Sequence, residues 1–225
     1  MKYPRLIPFI IVLFLAAFMA LYVVNTLFGG FGGPRPLSSV EVRDYQGERL
    51  SSIYDFRENS INGPQNVDIN NYTLSISGMV KTPEAFTYDE IINGHQNYKK
   101  AVTLKCVEGW DATILYEGVL VKDIIKEAGA DPGATVIVFY ARDGYSTSFP
   151  LSYIMDNDII LAYKMNNLTL IPERGYPFQL VAEEKWGYKW IKWVTKIELR
   201  NTSYTGYWES RGYSNDGDLN KSFFR

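Results

Sequence analysis

Between residues 72 and 80 apolar and polar side chains alternate (YTLSISGMV), the period-two pattern of a half-buried strand, and a Lys-Thr-Pro turn follows. Thr87 then opens a short helix over TYDEIING, with Thr87 and Glu90 spaced as a capping box. Residues 101–106 (AVTLKC) are apolar and β-branched and predict a strand that ends on its cysteine. Helical spacing of apolar residues over 119–128 (VLVKDIIKEA) predicts a helix stopped by Gly129 in a left-handed cap. Residues 135–141 (TVIVFYA), an Asp143-Gly144 turn and YSTSFP predict two strands joined by a tight turn, and PFQLVA and WVTKIEL read as two more. Strands outnumber helices, and the turns are too short for repeated βαβ crossovers. The expected class is therefore α+β with mixed or antiparallel sheets and few helices.

The longest apolar run is residues 6–28, 23 positions without a charge. At 1.5 Å of rise per residue such a run crosses a bilayer of about 30 Å. A cleaved signal peptide is the alternative, but its apolar core is shorter, roughly 7 to 15 residues. The expected organisation is a transmembrane anchor over 1–28, a Gly/Pro linker over 29–37 and a single domain over 38–225. Lys2 and Arg5 precede the span and only Arg35 follows closely, which places the N-terminus in the cytoplasm and the domain outside. Four Asn-x-Ser/Thr sequons, at Asn71, Asn167, Asn201 and Asn220, are compatible with that side. Residues 37–67 are polar and irregular, with an aromatic island at 53–56 that suggests a loop packed across the domain.

At 225 residues the chain holds one core plus accessories. A composition of 46% hydrophobic, 15% aromatic and 21% charged residues is that of a folded protein. The net charge of −2 supplies no basic stripe, so nucleic acid is not an expected partner. One cysteine, Cys106, excludes an intramolecular disulfide, and one histidine, His95, excludes bis-His haem ligation within the chain. Any haem belongs to a partner.

Two stretches can carry chemistry. Cys106, in LKCVEGWDA, is followed by Glu108, Gly109 and Asp111. A lone cysteine is ordinarily a small buried hydrophobe, but a thiolate at a strand end beside a glycine turn also suits a redox transition metal. One thiolate cannot hold such a metal, so further ligands would come from a cofactor. The second stretch is 184–193 (EKWGYKWIKW), where lysines and tryptophans both recur at helical spacing. An amphipathic helix is one reading. A loop leading into a strand is preferred, because Gly187 interrupts a helix and the run ends in β-formers. Such a loop can hold a cofactor phosphate on lysines and backbone N–H groups. His95 is read as a surface or cap residue, and Arg142, beside the 143–144 turn, as a surface arginine that could also meet an anionic substrate.

LKCVEGW, the helix after it, GYPFQLVAEEKWGYKWIKWVTKIEL and the upstream Tyr54-Asp55 together resemble the sulfite oxidase family of molybdopterin enzymes over residues 52–200. Within that family the branch resembled most is the catalytic subunit of the periplasmic methionine sulfoxide reductase. The resemblance implies a molybdopterin cofactor carrying molybdenum, or tungsten in its place, with Cys106 as the protein's metal ligand. It implies that Tyr54 and Asp55 contact the pterin, that Trp190, Ile191 and Lys192 hold its phosphate end, and that Gly187 and Lys189 belong to the preceding turn. Gln179 stands where the family often has arginine, Arg174 where the reductase has asparagine, and Ala141 near a family threonine. The implied activity is two-electron oxygen-atom transfer on a small S- or N-oxide or a sulfite-like substrate. Electrons would pass to or from a separate partner, for which a haem membrane protein is one candidate. A cofactor-free binding or structural module of the same fold is the alternative.

Overall fold

The computed structural model describes residues 40–225, and the expected anchor over 1–28 and linker over 29–37 lie outside them. Among the described residues no helix is long and apolar enough to cross a membrane. The segment after residue 40 makes a two-residue hairpin, β1 (Asp44–Tyr45) and β2 (Glu48–Arg49), then runs irregularly to the first long strand. As the aromatic island suggested, it packs across the domain: Leu50 and Ile53 are buried. Glu41 fastens it. The Glu41 carboxylate accepts the Ile53 N–H at 2.7 Å, the Ser52 hydroxyl at 2.9 Å and the amide of buried Asn166 at 3.0 Å.

Two sheets carry the core. One runs β4 (Glu84–Phe86), β3 (Leu74–Gly78), β12 (Val194–Arg200), β7 (Val136–Ala141), β8 (Ser146–Pro150), antiparallel except for the parallel β3–β12 pair. The other runs β10 (Leu168–Thr169), β9 (Ile160–Met165), β6 (Asp111–Leu120), β5 (Asn97–Lys105), with β11 (Gln179–Val181) also paired to β9, all antiparallel. Among the described residues three short α-helices complete it: α1 (Tyr88–Gly94), α2 (Val121–Ala128) and α3 (Leu151–Asp156). The α+β expectation with mixed sheets and few helices is met.

Local signals landed closely. The Thr87 hydroxyl accepts the Glu90 N–H and the Glu90 carboxylate accepts the Thr87 N–H, a complete capping box on α1. Gly129 ends α2 with φ +70°. The expected helix over 119–128 begins two residues later than its apolar spacing suggested, because Val119 and Leu120 finish β6. β6, α3 and β9 were not anticipated. Seven consecutive residues of β6, from Ile114 to Leu120, are buried, so the strand has no polar face and no alternation to read. Gly118 within it lets β9 come close: a Cβ there would stand 2.2 Å from the Leu161 carbonyl oxygen.

Candidate active site

Cys106 leaves the sheet at the end of β5, and residues 107–110 form the turn into β6. The Cys106 N–H donates to the Trp110 carbonyl at 2.9 Å and the Gly109 N–H to the Cys106 carbonyl at 3.1 Å. Gly109 supplies φ +87°, which glycine adopts without steric cost. Against this turn lies the 185–193 loop, joined by a bridge between Lys105 and Trp186. Gly187 sits close against it: a Cβ there would stand 3.3 Å from the Lys105 carbonyl oxygen, a tight contact, and 3.4 Å from the Cys106 Cα. The loop is a 3₁₀ turn (Gly187–Lys189) leading into β12, which agrees with the preferred reading of 184–193.

The two elements border a cavity of about 400 Å³. Cys106 lines it and is only 7% exposed. Burial pushes its thiol above the usual cysteine range, and the neighbouring Glu108 carboxylate pushes the same way. The backbone N–H groups of Glu108 and Val107 and the Asn59 amide, which donates to Sγ at 3.6 Å, work against them. Among the described residues no cluster of three or more His, Cys, Asp or Glu side chains is placed to hold a metal. Cys106 is thus a lone soft donor on a roomy cavity.

The expected cofactor residues divide. Gln179, Arg174, Trp190, Ile191 and Lys192 line the cavity with Cys106. Gln179 is 4% exposed and its Oε1 is buried without a hydrogen-bond partner, an unspent acceptor of the kind that native interiors rarely leave. Arg174 donates to the carbonyls of Ile53 at 2.7 Å, Phe56 at 2.6 Å and Arg57 at 3.4 Å, and stacks 3.6 Å from the centre of the Phe56 ring. Lys192 donates to Glu58 at 2.5 Å and to the Glu173 carbonyl at 3.2 Å. Burial lowers the Lys192 ammonium below the ordinary lysine value, and Glu58 partly offsets this. Trp190 donates its indole N–H to the Lys185 carbonyl at 2.9 Å.

Three others are placed elsewhere. Lys189 turns into the interior, where Nζ donates to Ser148 O at 2.6 Å, Glu209 Oε1 at 2.7 Å and Asn215 O at 2.9 Å. Its three hydrogens are spent there, so it presents none to the cavity. Tyr54, 64% exposed, and Asp55, also exposed, are not among the lining residues. The neighbouring positions 56–61 line it instead. His95 follows α1 as its cap, with Nδ1 on the Ile91 carbonyl at 3.1 Å and Nε2 3.1 Å from Glu127. Arg142 does not line the cavity.

Sequence reasoning missed Arg57, Glu58 and Asn59 on one side of the cavity and Trp208 and Tyr213 on another. Arg57 pairs with Glu108 at 3.0 Å, and Glu108 also accepts the Trp110 indole N–H at 3.1 Å. Hydrogen bonds from Trp110, Asn59 and Arg57 hold the Glu108 carboxyl below its usual range. Trp208 and Tyr213 flank Glu209 in the C-terminal segment, and their presence at the cavity follows from the Lys189–Glu209 contact rather than from any local motif.

A family model described as the oxidoreductase molybdopterin binding domain matches residues 61–208. The chain is 28% identical over 156 residues to the uncharacterized oxidoreductase YuiH of Bacillus subtilis, covering 69% of this chain and 78% of that protein. It is 30% identical over 148 residues to YedZ1 of Azospira oryzae, a candidate protein-methionine-sulfoxide reductase subunit, covering 66% and 56%. Mitochondrial sulfite oxidase of Drosophila melanogaster is 27% identical, with 63% of this chain and 27% of that one covered. Among solved structures, the sulfane dehydrogenase SoxCD of Paracoccus pantotrophus superposes with a TM-score of 0.59 at 24% identity, over 62% of this chain and 41% of that one. The last likeness concerns the fold. This chain spans most of YuiH but little more than half of YedZ1 and about a quarter of the sulfite oxidase.

Proposed function

The chain belongs to the oxidoreductase molybdopterin binding domain family, and from that premise we propose that it transfers an oxygen atom to or from a small S- or N-oxide or sulfite-like substrate beside Cys106. It is a molybdenum-dependent oxidoreductase that binds molybdopterin. The residues present fit that group: a soft thiol donor opens on a cavity of about 400 Å³, and Gln179, which also lines it, carries a buried Oε1 with no partner from the protein. Cys106 would bind the metal as thiolate, Gln179 would accept a hydrogen bond from the pterin, and Arg174, Trp190, Ile191 and Lys192 would hold the remainder. When bound, the cofactor supplies a metal that changes oxidation state by two electrons during oxygen-atom transfer. In the reducing direction two electrons and two protons enter, the substrate's S–O or N–O bond breaks and one water leaves. The chain's own contribution is to line the cavity with the rings of Phe56, Trp110, Trp208 and Tyr213 and to set the electronics of the metal through Cys106.

The reading extends to a single-pass anchor over residues 6–28 that holds the domain outside the cytoplasm, where a membrane-associated electron carrier would serve it. The similarity to YedZ1 supports a partner subunit. Protease added to intact cells should remove the domain, and digestion only after lysis would overturn the orientation.

The observation that carries the proposal is the Cys106 thiol on that cavity, and Cys106→Ser tests it. A hydroxyl is a hard donor, barely ionised at neutral pH, so thiolate-to-metal absorption and turnover should be lost together. The hydroxyl's burial costs about 1 to 3 kcal/mol at most, and the fold should survive. An active Cys106→Ser protein with an unchanged metal spectrum would refute the assignment.

A further inference from the structure

We infer that the cavity selects an uncharged oxide over an oxyanion, an inference that rests on the oxygen-atom-transfer reading. Among the described residues lining the cavity three are cations, Arg57, Arg174 and Lys192, and four are carboxylates, Glu58, Glu108, Asp143 and Glu173. Every cation is already engaged. Arg57 is paired with Glu108, Lys192 with Glu58, and Arg174 donates to three backbone carbonyls while stacked on Phe56. Arg174 and Lys192 are also the cations assigned above to the cofactor, whose own phosphate adds negative charge. Arg57 is the one most exposed, and it alone could turn to a substrate.

Turning would not help an anion. The Glu108 carboxylate is fixed by the Trp110 indole as well as by Arg57. An oxyanion that drew Arg57 away would leave the Glu108 carboxylate unpaired beside it, and like charges side by side repel even where solvent screens them. A neutral oxide meets no such penalty. Its S–O or N–O dipole can take an N–H from Asn59 in place of the one that amide gives to Glu108 or to the Cys106 thiol. Its organic substituents have the rings of Phe56, Trp110, Trp208 and Tyr213 to cover them. Glu108 therefore acts as the specificity determinant, by neutralising Arg57, the one cation that would otherwise receive an anion.

The test uses the purified full-length protein with its molybdenum content measured. Methyl phenyl sulfoxide serves as the neutral probe and sulfate as the oxyanion, each titrated against the intrinsic tryptophan fluorescence, with turnover of the sulfoxide under a reduced viologen dye and of sulfite under ferricyanide in parallel. The sulfoxide should bind and be reduced, and sulfate should bind at least about tenfold more weakly, a difference of roughly 1.4 kcal/mol. Glu108→Gln frees Arg57 and should tighten sulfate about tenfold or more, with a steeper dependence on salt. Sulfate binding as tight as the sulfoxide in the unaltered protein, or a preference for sulfite in turnover, would overturn the inference, as would a Glu108→Gln protein with unchanged sulfate affinity. Protein without molybdenum would count against the oxygen-atom-transfer reading alone, because the fluorescence titrations still decide the charge preference.

Discussion

Removing one partner of the Lys189–Glu209 pair is the perturbation whose size the structure defines best. Both side chains are fully buried, 0% exposed. Lys189 donates all three hydrogens, to Glu209 and to the carbonyls of Ser148 and Asn215. The Thr147 hydroxyl adds a bond of 2.5 Å to Glu209 Oε1, while Glu209 Oε2 is buried without a partner. Burial lowers the Lys189 ammonium below its ordinary value and Glu209 acts against that, so the carboxylate is what keeps the cation tolerable. Glu209→Ala leaves an uncompensated buried charge, which costs about 3 to 5 kcal/mol, a large part of the roughly 5 to 15 kcal/mol that holds a domain folded. Lys189→Met alone should cost a similar amount, because it strands Glu209 instead. The double variant Lys189→Met, Glu209→Leu removes both charges and should recover much of the loss, since apolar replacements of buried pairs are often neutral. Urea unfolding reports this as a fall in midpoint for each single variant and a partial return for the double. A Glu209→Ala protein weakened by less than about 1 kcal/mol, the range of an exposed pair, would refute the reasoning, and so would strict additivity of the two single changes.

Gln179→Leu should separate the cofactor-free protein from the loaded one. It removes a buried unpaired acceptor, so the cofactor-free domain should gain stability on the order of 1 kcal/mol, while the molybdopterin recovered per chain falls; equal cofactor content in both proteins would show that Gln179 makes no contact. Glu41→Gln tests the strap over residues 41–53. Burial raises the Glu41 carboxyl, but bonds from Asn166, Ile53 and Ser52 outweigh it and leave the folded value below 4.5. The stability this contributes is complete above 4.5 and lost as pH falls through the folded value. The unaltered protein should therefore weaken over that acid window more steeply than Glu41→Gln, and parallel melting curves against pH would count against the role.

What the sequence disclosed depended on how locally each feature is determined. The capping box of α1, the Gly129 stop of α2 and the strand ending at Cys106 are decided by residues a few positions apart, and each was readable. β6 and β9 were not, because a strand buried on both faces has no alternation, and its apolar run resembles the start of a helix. The six-residue α3, with Pro150 before it and no side-chain cap, offers too few turns for a periodic signal. Gly187 was read correctly as a helix breaker. The same glycine also lies against the Lys105–Cys106 backbone, which no spacing rule contains.

The candidate site shows the same division and explains why Lys189 was expected to face the cofactor. Lys185, Lys189 and Lys192 look alike along the chain, each beside a tryptophan in a lysine-rich loop, yet only Lys192 borders the cavity. The difference is made far downstream, where Glu209, 20 residues on, offers Lys189 a buried partner and Asp218, 33 residues on, offers one to Lys185. Those contacts also decide what else the cavity contains. By holding Glu209, Lys189 fixes the segment between Trp208 and Tyr213, and so part of the cavity wall is built from the end of the chain. The loop read as a phosphate cradle thus has two jobs divided residue by residue: Trp190, Ile191 and Lys192 face the cavity, while Lys185 and Lys189 face away and anchor the segment that closes it. A positive charge in such a loop is evidence for a ligand only once its carboxylate partners have been counted.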